Sequence, residues 1–214
     1  MKVHRYEIMR PAEIRWILSI DPGFRTSGFV SVDKDLTQIR GWGAPADKRG
    51  IQGVPFPDLI VRACERVDYY LEQLPVDGDP AEKEVVIEYT FLHRQFSTTL
   101  SVLLAAFVNT VLERKCVGTI TLVQPRTSQW FLKLKSAKPS EIRSFVEQTF
   151  PREWSVKKRW NSHAADALLN MAFCHYNFFT DLGIELREPR IELITRSIYD
   201  GYSQEENSGQ KDCG

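Results

Sequence analysis

The stretch that most constrains the fold is Trp16-Ile17-Leu18-Ser19-Ile20-Asp21, followed at once by Pro22-Gly23. A run of apolar, partly β-branched residues that ends in one carboxylate and then a turn reads as a strand buried on both faces. Pro and Gly directly after it stop the strand. An isolated charge cannot sit in the middle of such a strand. It can stand at the end, where a cleft opens and a cation can neutralise it. Asp21 is therefore either a turn-capping residue or the first ligand of a metal site.

The pattern on either side of this strand predicts a mixed sheet. Residues 1–14 are polar and mixed and read as an extension ahead of the core. Strand one covers 15–20, and 22–27 form a tight turn. Gly28 to Val32 alternates as strand two, Asp33-Lys34-Asp35 turns, and Thr37 to Gly43 is a third strand, so the three make an antiparallel meander. Residues 44–57 are rich in Pro and Gly and read as a loop. Leu59, Ile60, Ala63, Cys64, Val67, Tyr70, Leu71 and Leu74 recur at helical spacing, which predicts a helix over 58–74. After a polar loop at 75–83, Glu84 to Ile87 is a short strand that again ends in a carboxylate, Glu88. A helix over 97–114, a strand over 119–123, short helices within 127–150 with Ser140 as N-cap, and a basic loop at 151–160 follow. Asn161-Ser162 cap a final helix to about 179. Residues 185–214 are polar and acidic, with 191–198 as an extra strand or docked segment and the last ten residues disordered. Three strands followed by α, β, α, β, α predict a mixed sheet with helices on both faces.

Net charge does not announce a nucleic-acid binder, because Lys+Arg and Asp+Glu are both 28. The distribution is less even. Arg126, Lys133, Lys135, Lys138, Arg143, Arg152, Lys157, Lys158 and Arg159 face only three acids over 126–160, a local stripe compatible with phosphate binding. Cys64, Cys116 and Cys174 lie in apolar-periodic stretches without a CxxC pair and read as buried thiols of a reducing compartment. The first residues lack the apolar core of a signal peptide. Leu100 to Leu112 is too short and too broken by Asn109 and Thr110 to span a bilayer. A cytoplasmic protein with no membrane partner is expected.

Two strands ending in Asp21 and Glu88 bring both side chains to one sheet edge if the strands are neighbours. The final helix opens with His163-Ala164-Ala165-Asp166, and i, i+3 spacing puts His163 and Asp166 on one face of its first turn. Such a set is oxygen-rich and lacks thiolates, which suits Mg²⁺ or Mn²⁺ rather than Zn²⁺. Two such ions about 4 Å apart activate a water and stabilise the leaving oxygen in phosphodiester cleavage. Each residue alone has a plainer reading, as turn cap, satisfied strand-end charge or helix first-turn charge. Their joint occurrence in this element order is the specific signal.

Ile20-Asp21-Pro22-Gly23 followed by Ser27-Gly28, a strand ending in Glu88 with Phe91 three residues on, and Ser162-His163-Ala164-Ala165-Asp166-Ala167-Leu168 resemble the RuvC family of Holliday-junction resolvases. The resemblance covers about 15–180, and the His-Ala-Ala-Asp-Ala-Leu segment is its most specific part; family members carry Asp or His where His163 stands. It implies an α/β, ribonuclease H-like fold for 15–182, with extensions at 1–14 and 183–214. It implies that Asp21, Glu88, His163 and Asp166 are catalytic and hold two Mg²⁺, for which Mn²⁺ can substitute. It also implies a homodimer that binds four-way junction DNA and nicks two strands symmetrically. The loops at 44–57 and 75–83 and the tail beyond 180 are longer than in cellular resolvases, which fits a viral or divergent member.

Candidate DNA contacts follow. Tyr89 and Phe91 lie just past Glu88, where an aromatic stacks on a base or packs the next helix. Arg94 is a phosphate contact or an exposed loop residue. Lys157, Lys158 and Arg159 abut the proposed site. Lys133, Lys135 and Lys138 match the family's lysines only loosely. The alternatives are a ribonuclease H-like nuclease acting on flaps, other branched DNA or RNA–DNA hybrids, a non-catalytic junction binder, and an actin-like phosphotransferase. The last predicts nucleotide binding and a second Asp-x-Gly phosphate loop.

Overall fold

The computed structural model describes residues 1–10, 12–23, 26–43, 53–89, 97–151, 154 and 161–198, with the side chains of 41 and 97–100 excepted. Its strands are β1 (Lys2–Glu7), β2 (Trp16–Asp21), β3 (Gly28–Asp33), β4 (Gln38–Gly43), β5 (Lys83–Glu88), β6 (Thr119–Val123) and β7 (Glu192–Ser197). Its helices are α1 (Phe56–Leu71), α2 (Ser97–Arg114), α3 (Thr127–Leu132), α4 (Pro139–Thr149), α5 (Ser162–Cys174) and α6 (Tyr176–Asp181). The described strands form one mixed sheet in the order β4-β3-β2-β5-β6-β1-β7. β2, β3 and β4 are the expected antiparallel meander, and β5 and β6 run parallel to β2. This is the ribonuclease H-like α/β arrangement, with helices on both faces. Among the described residues no helix is long and apolar enough to cross a membrane.

Strand periodicity sorts the core into two layers. Ile17, Val30, Val32 and Val86 pack beneath α5 with Leu168, Met171 and Phe173. Leu18, Ile20, Val85 and Ile87 point the other way, against Leu59, Ala63, Val67 and Tyr70 of α1 and Leu103, Phe107 and Val111 of α2. Fully burying each of these large apolar side chains contributes roughly 1.5–3 kcal/mol. α5 crosses β2, β3 and β5. Its inward face is nearly all small or apolar, so its backbone lies close to the sheet.

Several expectations are corrected. Residues 1–14 contain β1, inserted antiparallel beside β6, with β7 parallel to it on the outside. β1 carries one fully buried apolar residue, Val3, so its alternation is too weak to read as a strand. The last helix breaks at His175 instead of running to 179. Cys64 is exposed, because the buried stripe of α1 is Leu59, Ala63, Val67 and Tyr70 and Cys64 falls beside it. α4 begins at Pro139 with Lys138 as N-cap, whose backbone N–H donates to Glu141 Oε2 at 2.6 Å, so Ser140 lies inside the helix.

Candidate active site

The site is built where β2 and β5 end side by side. Ile20 registers with Ile87, so Asp21 and Glu88 follow as neighbours at the same sheet edge. Period-2 alternation puts Asp21 on the face of Ile17 and Glu88 on the face of Val86. Both are therefore on the α5 face. Pro22-Gly23 turns the chain away from that edge, and a Cβ at Gly23 would meet the Thr26 carbonyl oxygen at 2.0 Å.

The first turn of α5 completes it. Asn161 Oδ1 accepts from the Ala164 N–H at 3.0 Å, fixing the start of the helix. Gly28, registered with Asp21, lies directly under that turn: a Cβ there would sit 2.1 Å from the His163 carbonyl carbon and 2.3 Å from the Ala164 nitrogen. Only a residue without a side chain lets the helix approach so closely. The approach brings His163 Nδ1 to donate to Asp21 Oδ2 at 2.6 Å. Asp166, three residues on, accepts from Ser128 Oγ. Asn170, one turn further, is fully buried, accepts from Thr127 Oγ1, and donates from Nδ2 to Glu88 Oε2 at 3.2 Å. Thr127 and Ser128 open α3, so three elements hold the acids in place.

Electrostatically the site is under strain. Burial raises Glu88, and the Asp21 and Asp166 charges push it up further against the opposing Asn170 hydrogen bond. Burial likewise raises Asp166, to about 6, with Asp21 adding to the rise and Ser128 and His163 opposing it. The hydrogen bond to Asp21 raises His163 above the ordinary imidazole value. Close carboxylates that cannot all ionise without a compensating charge are what an oxygen-ligated cation relieves. Among the described residues, no three His, Cys, Asp or Glu side chains are close enough to hold one ion. Asp21 is engaged by His163, Asp166 by Ser128 and Glu88 by Asn170.

The opposite end of α5 repeats the pattern for a structural purpose. Glu84, four residues before Glu88 on the same strand face, is fully buried beneath His175. His175 Nε2 and Glu84 Oε2 lie 3.2 Å apart, without hydrogen-bond alignment. Arg5 reaches Glu84 at 3.3 Å and Thr121 Oγ1 donates to it. Burial works to raise Glu84, but these partners together hold it down to about 2. His175 is thus part of the anchor that ties α5 to β5, β6 and β1.

Of the residues expected to carry chemistry, Asp21, Glu88, His163 and Asp166 all reach this edge. The Tyr89 N–H continues the ladder to the Val123 carbonyl, and its ring meets His4 edge-on, 6.0 Å between centroids. Lys133 and Lys135 line a cavity beyond α3, and Lys138 caps α4. Phe91, Arg94, Lys157, Lys158 and Arg159 lie outside the described residues. Sequence reading missed Asn170, Thr127 and Ser128. Asn170 was accessible in principle, as a polar residue four positions after Asp166 on an otherwise apolar helix face. The α3 hydroxyls meet α5 only through the tertiary fold.

No protein-family model and no curated protein matches the chain. Among solved structures, Thermus thermophilus RuvC in complex with Holliday junction substrate is similar, with a TM-score of 0.51 and 20% identity over 80% of this chain and 99% of that one. The T. thermophilus RuvC structure matches with a TM-score of 0.50, 20% identity and the same coverage. The yeast mitochondrial Holliday junction resolvase gives 0.45 and 12%, over 81% of this chain and 86% of that one. At these identities the likeness is one of fold.

Proposed function

We propose that the chain is a RuvC-like Holliday-junction resolvase, a structure-specific DNA endonuclease that nicks four-way junctions symmetrically as a homodimer. The observation that carries this reading is the convergence of Asp21, Glu88 and Asp166 at one edge of a ribonuclease H-like sheet, with the Asp21 charge acting on both Glu88 and Asp166. A pure junction binder has no use for three carboxylates where phosphates must approach. The nuclease unit is 15–182, with 1–14 and 183–214 as extensions, of which β1 and β7 widen the sheet.

The donor set fits divalent cations: three carboxylates, no thiolate, and an excess of negative charge that burial has already made costly. Asp21, Glu88 and Asp166 would hold two Mg²⁺, with His163 as a ligand or as the proton-transfer group. Such ions supply Lewis-acid stabilisation of the attacking and leaving oxygens of the phosphodiester. The chain's own groups set the stage. Asp21 fixes the His163 ring through Nδ1, which leaves Nε2 as the nitrogen able to hold or release a proton. The raised His163 value keeps that proton bound closer to neutral pH. Ser128 and Asn170 orient Asp166 and Glu88, as outer partners of ligating carboxylates do.

The test is a cleavage panel of four-way junction, flap, RNA–DNA hybrid and linear duplex, in Mg²⁺ and in Mn²⁺. Asp21→Asn and Asp166→Asn should abolish junction cleavage while leaving junction binding intact. Normal cutting by the Asn variants would remove the site assignment. Preferential cutting of flaps or hybrids by the wild type would replace the junction reading with the wider ribonuclease H-like one.

A further inference from the structure

We infer that the open basic cavity on the far side of α3 seats a phosphate of the DNA strand entering the active site, which makes Arg187 of the C-terminal extension part of the substrate surface. This rests on the proposed action on DNA but on different residues from the acidic site. The cavity holds about 380 Å³ and is lined by Arg126, Lys133, Lys135 and Arg187 together with Met1, Gln129, Trp130 and Leu134. No carboxylate lines it. None of the four cations has an ion-pair partner among the described residues, whereas Arg5, Arg15, Arg40 and Arg114 each meet an acid. Gathering four unneutralised positive charges in one hollow costs repulsion that a bound anion offsets.

Arg187 is held in position for such an anion. Its guanidinium lies 3.9 Å from the centre of the Trp130 ring, and Nη1 donates to the Trp130 carbonyl at 3.1 Å. Stacking and one hydrogen bond fix the plane of the group and leave its remaining donors for a phosphate fork. The segment carrying Arg187 is itself tied down, with Tyr176 Oη donating to the Leu186 carbonyl at 3.3 Å.

The location matches the active site. α3 carries Thr127 and Ser128, which hold Asn170 and Asp166, at its start and ends beside Lys133. Its six residues span roughly 9 Å at 1.5 Å per residue. At 3.4 Å of rise per nucleotide, that distance is about two to three nucleotides along one strand. The cavity therefore grips the substrate arm near the scissile phosphate without touching it.

The experiment measures binding of a four-way junction and of a linear duplex with the same arms, in EDTA, across a salt series. The proteins are wild type, Arg187→Gln, Arg187→Gln/Lys133→Gln, the exposed Lys135→Gln and Arg187→Lys, with thermal melts as a folding control. One lost phosphate contact should make the slope of log K against log salt shallower by about 0.9, and the double variant by about 1.8. Arg187→Lys should keep the wild-type slope. Unchanged slopes in the double variant and in Lys135→Gln, with a wild type that cuts junctions, overturn the inference and leave the nuclease reading standing. Shallower slopes with a wild type that cuts no junction sustain the inference and remove the junction reading. A wild type that binds neither DNA overturns both.

Discussion

Replacing Gly28 by Ala tests how the site is assembled. The added Cβ would sit 2.1 Å from the His163 carbonyl carbon, 2.3 Å from its oxygen and 2.3 Å from the Ala164 nitrogen, whereas ordinary contact begins near 3.4 Å. All three atoms are backbone in the first turn of α5, so no side-chain rotation relieves the clash. The helix start must retreat from β3 by more than 1 Å. Overpacking of this kind costs roughly 1–3 kcal/mol, or about 2–12 °C in melting temperature for a chain of this size. The functional loss should be larger than the stability loss. His163 and Asp166 ride on that turn, and a displacement of about 1 Å in catalytic groups costs on the order of 100-fold in rate. The assay is single-turnover junction cleavage in Mg²⁺ beside a thermal melt and a binding titration. The expected result is a folded variant that binds junctions and cuts them at roughly a hundredth of the wild-type rate. A variant that cuts and melts like the wild type would refute the claim that the close helix–strand approach builds the site.

Three further outcomes follow from the buried charges. Glu84 has a folded value near 2 against 4.5 when free, so it contributes stability that is present above about pH 4.5 and lost as pH falls towards 2. Glu84→Gln should therefore lower urea stability on the order of 3 kcal/mol at pH 7, with the difference closing near pH 2; a constant difference across pH would contradict it. Asp166 is shifted the other way, from 3.8 to about 6, so its ionisation destabilises the metal-free fold as pH rises from about 4 through 6. In EDTA at pH 8, Asp166→Asn should melt higher than the wild type, by roughly 2 kcal/mol of stability, and in Mg²⁺ it should fail to cut DNA. Asn170→Leu removes the partner of both Thr127 and Glu88, which should cost about 1–3 kcal/mol and lower cleavage roughly 10- to 100-fold. Wild-type cleavage by that variant would show that Glu88 needs no orienting donor.

The sequence by itself determined which residues carry charge at strand ends and which face of each element is apolar. The Trp16–Asp21 and Glu84–Glu88 runs could only be strands buried on both faces, so their acids had to stand at an edge. His163 and Asp166 had to share a helix face, because 3.6-residue periodicity is local and leaves no choice. The meander of β2, β3 and β4 followed for the same reason, from alternation and turn residues alone. Tertiary structure decided everything that depends on proximity between segments distant in the chain. β1 entered the sheet because β6 offered an open edge for hydrogen bonding, which a strand with one buried apolar residue does not advertise. His175 became a partner of Glu84 only because α5 spans the same strand that carries Glu88. Ser128, Thr127 and Asn170 support the acids through contacts 38 to 82 residues apart in sequence. Those contacts rest on how closely α5 lies on β3, and that distance is fixed by the missing side chain of Gly28.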